Sequence, residues 1–263
     1  MIKVIINGCN GIMGQVLSEQ ILLNEEFEVV AGIDMNKDRL INPYEVYKSL
    51  DEYNGKADVI IDFSNPVFLD NLLSYGLERK VALVIATTGL SDEHIENINL
   101  ASKKIPILYS YNMSLGINII SNVLKQISSA LMENFDIEII EKHHNKKVDA
   151  PSGTAYLLAN SINEGVGNSL NYVYGRSGLD EKREENEIGI HSIRGGTIAG
   201  EHTVIFAGND EVIEFKHTAL SKNIFAIGAI KAAEFLIGKE KGLYTMNDIL
   251  TKRGWLYWLQ NLI

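Results

Sequence analysis

The sequence predicts an α/β domain built on a parallel sheet, followed by a second α+β domain containing a mixed sheet. Two observations support the division. Short apolar runs at residues 3–7, 29–33, 58–63, 82–86 and 105–109 alternate with helical segments. Such runs are apolar on both faces, as strands covered by helices on either side must be. From residue 114 the pattern changes to one long helical segment, 115–132, and then to strands that alternate polar and apolar residues, starting with Phe135-Asp-Ile-Glu-Ile.

Taken in order, strand 3–7 turns sharply at Gly8 and helix 12–23 follows. The run 29–33 ends at Asp34, and Asn65-Pro66 supplies a helix start after strand 58–63. Thr87-Thr88-Gly89 leads into a helix near 91–102, which one of the threonines could cap. Beyond a strand expected over 135–140, residues 152–164 read as helix and 171–173, 189–193, 202–207 and 212–217 as strands. Gly208-Asn-Asp210 marks the last two as a hairpin. Residues 225–237 are helical, with 246–251 as a continuation. The expected domains are 1–113, 114–222, and a segment 223–263 that returns to the first. Trp255, Tyr257 and Trp258 are expected to cover a core or a subunit contact.

Composition narrows the function. A formal net charge of -10 disfavours nucleic-acid binding, which requires phosphate neutralisation. No apolar run reaches membrane-spanning length, and the single Cys9 rules out an intrachain disulfide framework. A cytoplasmic protein without nucleic-acid or membrane partners is expected.

Gly8, Gly11 and Gly14 fall between a strand and a helix. The first permits the tight turn, the second lets the backbone approach a pyrophosphate, and the third permits close helix packing. This predicts a Rossmann-like dinucleotide site, with phosphates received at the helix N-terminus. Asp34 stands where a carboxylate would accept from the adenine-side ribose, or it is an ordinary strand-terminal aspartate. No arginine follows it directly, which favours NADH, while Lys37 leaves NADPH open. Ala86-Thr87-Thr88 and Ser110-Tyr111-Asn112-Met113 lie at further strand ends, the ligand-binding edge of a parallel sheet.

The segment Glu141-Lys-His-His-Asn-Lys-Lys-Val-Asp-Ala-Pro-Ser-Gly-Thr154 joins a strand to a helix. His143 or His144 can donate a proton near neutral pH, or the pair is one packed and one exposed histidine. No metal is expected, because the segment lacks metal-ligand spacing. Ser152 or Thr154 caps the helix, whose N-terminus favours a carboxylate, and a lysine facing it would complete a clamp. A small polycarboxylate fits this chemistry.

These motifs, with Ile198-Ala-Gly-Glu-His-Thr203, resemble those of the 4-hydroxy-tetrahydrodipicolinate (dihydrodipicolinate) reductase family over nearly the whole chain. The resemblance implies reduction of a cyclic dicarboxylate by NADH or NADPH in diaminopimelate and lysine synthesis, and a homotetramer built through the substrate-domain sheet. It implies His143 as proton donor, Lys147 with a catalytic role, and His144, Gly153 and Thr154 as substrate-binding residues. Its cofactor positions fall on Gly8, Cys9, Asn10, Gly11, Ile12, Met13, Asp34, Ala86, Thr87, Thr88, Ser110, Tyr111, Asn112 and Met113. Three departures stand out: Ile12 and Met35 where relatives often carry arginine, and Ala86 where glycine is usual. Another NAD(P)-dependent oxidoreductase of an amino-acid intermediate, or a non-enzymatic NAD sensor, is the alternative to this reading.

Overall fold

The structure is a computed structural model and describes residues 1–179 and 182–251. The chain forms two compact units, one joining Met1–Leu115 to the segment from Lys222 onward and the other spanning Gly116–Ser221. The aromatic cluster Trp255, Tyr257 and Trp258 lies outside the described residues.

The first unit runs β1 (Ile2–Asn7), α1 (Ile12–Leu22), β2 (Phe27–Ile33), β3 (Val46–Tyr47), β4 (Val59–Asp62), α2 (Leu69–Arg79), β5 (Ala82–Ile85), α3 (Asp92–Ser102) and β6 (Pro106–Tyr109). Strand alternation divides its core in two. Val4, Ile6, Val59, Ile61 and Val84 point to one side of the sheet, and Ile5, Ile60, Leu83 and Ile85 to the other. Both sets are buried, which is why these strands read as unbroken apolar runs. Ser91 caps α3 in a reciprocal pair with His94, so neither threonine is the cap.

The second unit comprises α4 (Leu115–Leu131, from Gly116), β7 (Phe135–His143), α5 (Gly153–Gly165), β8 (Asn171–Val173), β9 (Glu187–Arg194), β10 (Gly200–Gly208) and β11 (Val212–Ala219). Its mixed sheet has the order β11-β10-β7-β9-β8, antiparallel from β11 to β7 and parallel from β7 to β8. Ile137, Ile139, Ile190, Val204 and Phe206 form its inner face, packed with Leu124 of α4 and Leu158 and Ile162 of α5. Phe206 is fully buried, and truncating such a residue to alanine costs about 3–5 kcal/mol. The expected hairpin is present as β10–β11. β7 runs on to His143 rather than ending at Ile140, because Glu141 and Lys142 still have partners on both neighbouring strands and His143 pairs with Arg194 of β9.

The chain then returns through α6 (Asn223–Leu236), β12 (Gly242–Tyr244) and α7 (Met246–Thr251). Ala226, Ala229, Ala233 and Leu236 of α6 join the first core cluster. β12 pairs with β6 and completes a parallel sheet of order β12-β6-β5-β4-β1-β2-β3. Residues 246–251 are therefore a separate helix and not an extension of α6. Among the described residues, no helix is long and apolar enough to cross a membrane.

Candidate active site

In the first unit the glycine loop closes on its own backbone. Gly8 has φ +82°, and a Cβ there would lie 2.7 Å from the carbonyl oxygen of Phe63. A Cβ on Gly14 would lie 2.1 Å from the carbonyl oxygen of Gly8. Gly11 begins α1 without a side-chain cap, which leaves first-turn amides for a ligand. Gly8, Gly11, Asp34, Asn36, Ser64 and Phe68 line an adjoining cavity. This cradle fits a dinucleotide pyrophosphate.

Asp34 is held from behind. Its carboxylate accepts from the backbone amides of Asn10 at 3.1 Å and Asn36 at 2.9 Å, and further lone pairs remain for ribose hydroxyls. The buried Asn10 donates to the Asn36 carbonyl at 2.8 Å and accepts from Asn42 at 2.8 Å, so its side chain braces the loop. Cys9 is buried beneath the loop, and burial together with the charge of Asp34 pushes its thiol up to about 12. A thiol so poorly ionised is unsuited to nucleophilic catalysis. Ile12 is exposed, and Met13 packs on the core.

At the strand ends Thr87 meets a buried carboxylate that sequence reasoning missed. Asp62 accepts from Asn7 at 2.8 Å and from the hydroxyls of Ser64 and Thr87, each at 2.6 Å. Burial raises its pKa against these hydrogen bonds. The Thr87 hydroxyl is thus already engaged, Ala86 is buried beside it, and Thr88 is exposed. The Ser110 hydroxyl donates to the Asn112 carbonyl at 2.9 Å, and the Asn112 side chain accepts from the Ser114 amide at 2.9 Å. Tyr111 is exposed, whereas Met113 is buried in the core. Lys48, fourteen positions beyond Asp34 in sequence, lines the same cavity and was also missed. A neighbouring depression is lined by Lys37, Arg39 and Lys48.

In the second unit, sheet register assembles the polar cluster. Glu141 on β7 stands opposite His202 on β10 and Ser192 on β9, and His143 stands opposite Arg194. Two-residue periodicity places Glu141 and His143 on the inner face, where both are buried. The Nδ1 of His143 lies 2.6 Å from Glu141 Oε2. The Arg194 guanidinium grips both oxygens of Glu141, at 2.7 and 2.8 Å. Burial opposes the charge on Glu141, but hydrogen bonds from His143, Arg194 and Ser192 outweigh it and hold the carboxyl well below its usual range.

Ser152 begins α5, and its Oγ accepts from the Ala155 amide at 3.2 Å. Its hydroxyl proton is then directed to His202 Nε2 at 2.9 Å. Burial, reinforced by His143 nearby, pushes His202 down to about 3, so it accepts this bond as a neutral ring. Gly153 follows on the surface, with no atom within 4 Å of where a Cβ would stand. Thr154 is half-buried at the first turn. Lys147 is also half-buried and pairs with Asp149 at 2.7 Å. The buried Nδ1 of His144 has no hydrogen-bond partner among the described residues. His143, Ser152 and His202 thus share one cluster; sequence reasoning had given no role to Glu141 or His202, which lie in its motifs, and had passed over Arg194.

Comparison with known proteins identifies the arrangement. Residues 2–113 match the model of the dihydrodipicolinate reductase N-terminus, and residues 116–250 match that of its C-terminus. The chain belongs to the dihydrodipicolinate reductase family. It is 52% identical over 253 residues to the 4-hydroxy-tetrahydrodipicolinate reductase of Clostridium novyi (strain NT), covering 96% of this chain and 100% of the relative. Identity to the reductase of Caldanaerobacter subterraneus subsp. tengcongensis is 53% over 252 residues, covering 96% and 99%. Among solved structures, the dipicolinate-bound dihydrodipicolinate reductase of Paenisporosarcina sp. TG-14 superposes with a TM-score of 0.77 at 26% identity, covering 93% of this chain and 97% of that one. Membership in this reductase family answers the sensor alternative: the chain is an oxidoreductase.

Proposed function

We propose that the protein reduces 4-hydroxy-tetrahydrodipicolinate to tetrahydrodipicolinate, with net loss of water, in diaminopimelate and lysine biosynthesis. Family membership carries the reaction, and the pairing of a buried histidine with an uncluttered helix start carries the division of labour. When bound, the nicotinamide cofactor supplies the hydride, to C4 of the unsaturated ring. Gly8, Gly11 and the α1 amides hold its pyrophosphate, and Asp34 holds a ribose. His143 protonates C3. Gly153 and Thr154 bind one carboxylate at the α5 N-terminus, where aligned amides favour negative charge. Lys147 leaves Asp149 to meet the substrate, and His144 offers it a polar contact. Purified protein should oxidise NADH or NADPH only when substrate is present; no substrate-dependent oxidation would reject the assignment.

NADH should serve at least as well as NADPH. Asp34 would repel a 2′-phosphate, and Met35 supplies no bidentate partner for one. Lys37, Arg39 and Lys48 lie close enough to keep NADPH usable. A kcat/KM for NADPH about tenfold above that for NADH, equivalent to roughly 1.4 kcal/mol, would reverse this order. A homotetramer is proposed as well. Ile140 and Ile205 alternate with inward-facing residues on the second sheet and offer a face for a second copy; sedimentation as a monomer would reject it.

A further inference from the structure

The buried centre of the second unit is the carboxylate of Glu141, which lies too deep to meet substrate and pairs with the partly exposed Arg194. Glu141 is fully buried, and its oxygens are occupied by Arg194, by His143 and by the Ser152 amide at 3.1 Å. Arg194 also donates to the Asp149 carbonyl at 2.6 Å, next to the carboxylate that pairs with Lys147. The proposed acid, the proposed carboxylate cradle and the Lys147–Asp149 pair therefore converge on Glu141 and Arg194. Stability alone gives weak reason for such a pair, because well-packed apolar residues of similar volume often replace buried ion pairs without loss.

We infer that Glu141, held by Arg194, is a positioning residue that fixes the His143 ring and keeps one proton on Nδ1, so that the transferable proton is always the one on Nε2. This rests on the reading of His143 as the proton donor. An ionised carboxylate only accepts hydrogen bonds, so the Nδ1 facing it must carry a proton. The bidentate guanidinium keeps the carboxylate charged and orients it. When the protonated ring gives its Nε2 proton to the substrate carbon, the neutral Nδ1–H form remains, and Nε2 is the vacant site that takes the next proton from solvent. Gly200 completes the arrangement. A Cβ at that position would lie 3.1 Å from His143 Nε2, so glycine keeps the working nitrogen uncrowded. This gives the Ile198–Thr203 motif a physical role: Gly200 clears Nε2, and His202 ties Ser152 into the same cluster.

In Glu141→Gln, Arg194 claims the single carbonyl oxygen and turns the amide NH2 toward Nδ1, which favours the opposite tautomer. The test combines ring-nitrogen NMR of His143 at alkaline pH with single-turnover hydride transfer and titration of NADH. The native ring should show the Nδ1–H tautomer. Glu141→Gln should shift it toward Nε2–H and slow hydride transfer by about 10- to 100-fold, part of the roughly 10²–10⁴-fold that a general acid supplies. NADH affinity should stay the same. An unchanged tautomer, or a shifted tautomer with undiminished hydride transfer, would overturn the inference. Should the glutamine variant fail to fold, Glu141→Asp carries the same test, since it keeps a charge opposite Arg194 but withdraws the carboxylate by one methylene. His143→Ala measured alongside separates the two readings. Undiminished transfer there removes the acid assignment itself, whereas slowed transfer there with normal Glu141→Gln removes only the positioning role.

Discussion

In the proposed function both units present a helix N-terminus to an anion, but they build it from different materials. α1 starts at Gly11 with no side-chain cap, framed by glycines whose absent Cβ atoms leave room for backbone. α5 starts at Ser152, whose hydroxyl and amide are both tied to a charged, buried cluster. The first cradle is made of backbone shape and the second of charge and proton placement. They should therefore fail differently: the first to intruding volume, the second to changes in charge or pH.

The sharpest separation comes from His143→Ala. Loss of the acid should lower the single-turnover rate by about 10²–10⁴-fold while NADH binding is unaffected. Weakened NADH binding in this variant would mean the units do not divide the labour as proposed. Gly14→Ala tests the opposite failure. Its Cβ would meet the Gly8 carbonyl oxygen at 2.1 Å, a backbone atom that cannot swing away. The overpacking should cost about 1–3 kcal/mol and weaken NADH correspondingly, with 2,6-pyridinedicarboxylate affinity preserved. Thermal melts and separate titrations of the two ligands would check both halves.

Lys147→Ala should have a smaller effect. Removing one charged partner of a substrate carboxylate should raise the dissociation constant of 2,6-pyridinedicarboxylate about tenfold, since Asp149 already competes for the lysine. Unchanged affinity would leave Lys147 as a partner of Asp149 alone.

Acid should distinguish the units more gradually. His202 titrates near 6.5 when unperturbed and is pushed down to about 3 in the folded unit. Between those values the unfolded chain binds the extra proton, so this contribution to stability is complete above about 6.5 and is lost as pH falls toward 3. Hydrogen bonds from Lys142 and Lys216 hold Glu201 at about 2, which adds a loss below its ordinary 4.5. Asp62 in the first unit has the opposite sign. Its raised pKa favours the folded state at low pH, an advantage lost as pH rises through the folded value. Hydrogen exchange followed down the pH scale should show protection fading first in residues 116–221, and His202→Gln should flatten that slope. Simultaneous loss in both units would contradict the contrast.

The same contrast explains what could be read from sequence. Strands such as Val59–Asp62 were legible because burial on both faces leaves an unbroken apolar run, and the pyrophosphate loop because only glycine tolerates its close approaches. β3 and β12, of two and three residues, are too short to carry a period. Asp62 looked like any strand-terminal aspartate, since its partners Asn7 and Thr87 arrive from other strands. His143 could be proposed from its neighbours in sequence. Arg194 and His202 could not, because they reach Glu141 across the sheet from 53 and 61 positions away. Register, a long-range property, made that half of the site.

The return of the chain through α6 and β12 has a consequence for synthesis on the ribosome. Residues 116–221 are continuous and contain every strand of their own sheet. The unit that begins the chain lacks its edge strand and the alanine-rich helix over its first core cluster until residues 223–244 have been made. Domains usually complete themselves in the order of translation. Here the later segment finishes first, and the amino-terminal half waits with one face of its sheet covered by α1 alone, where a chaperone or a wrong partner could bind it.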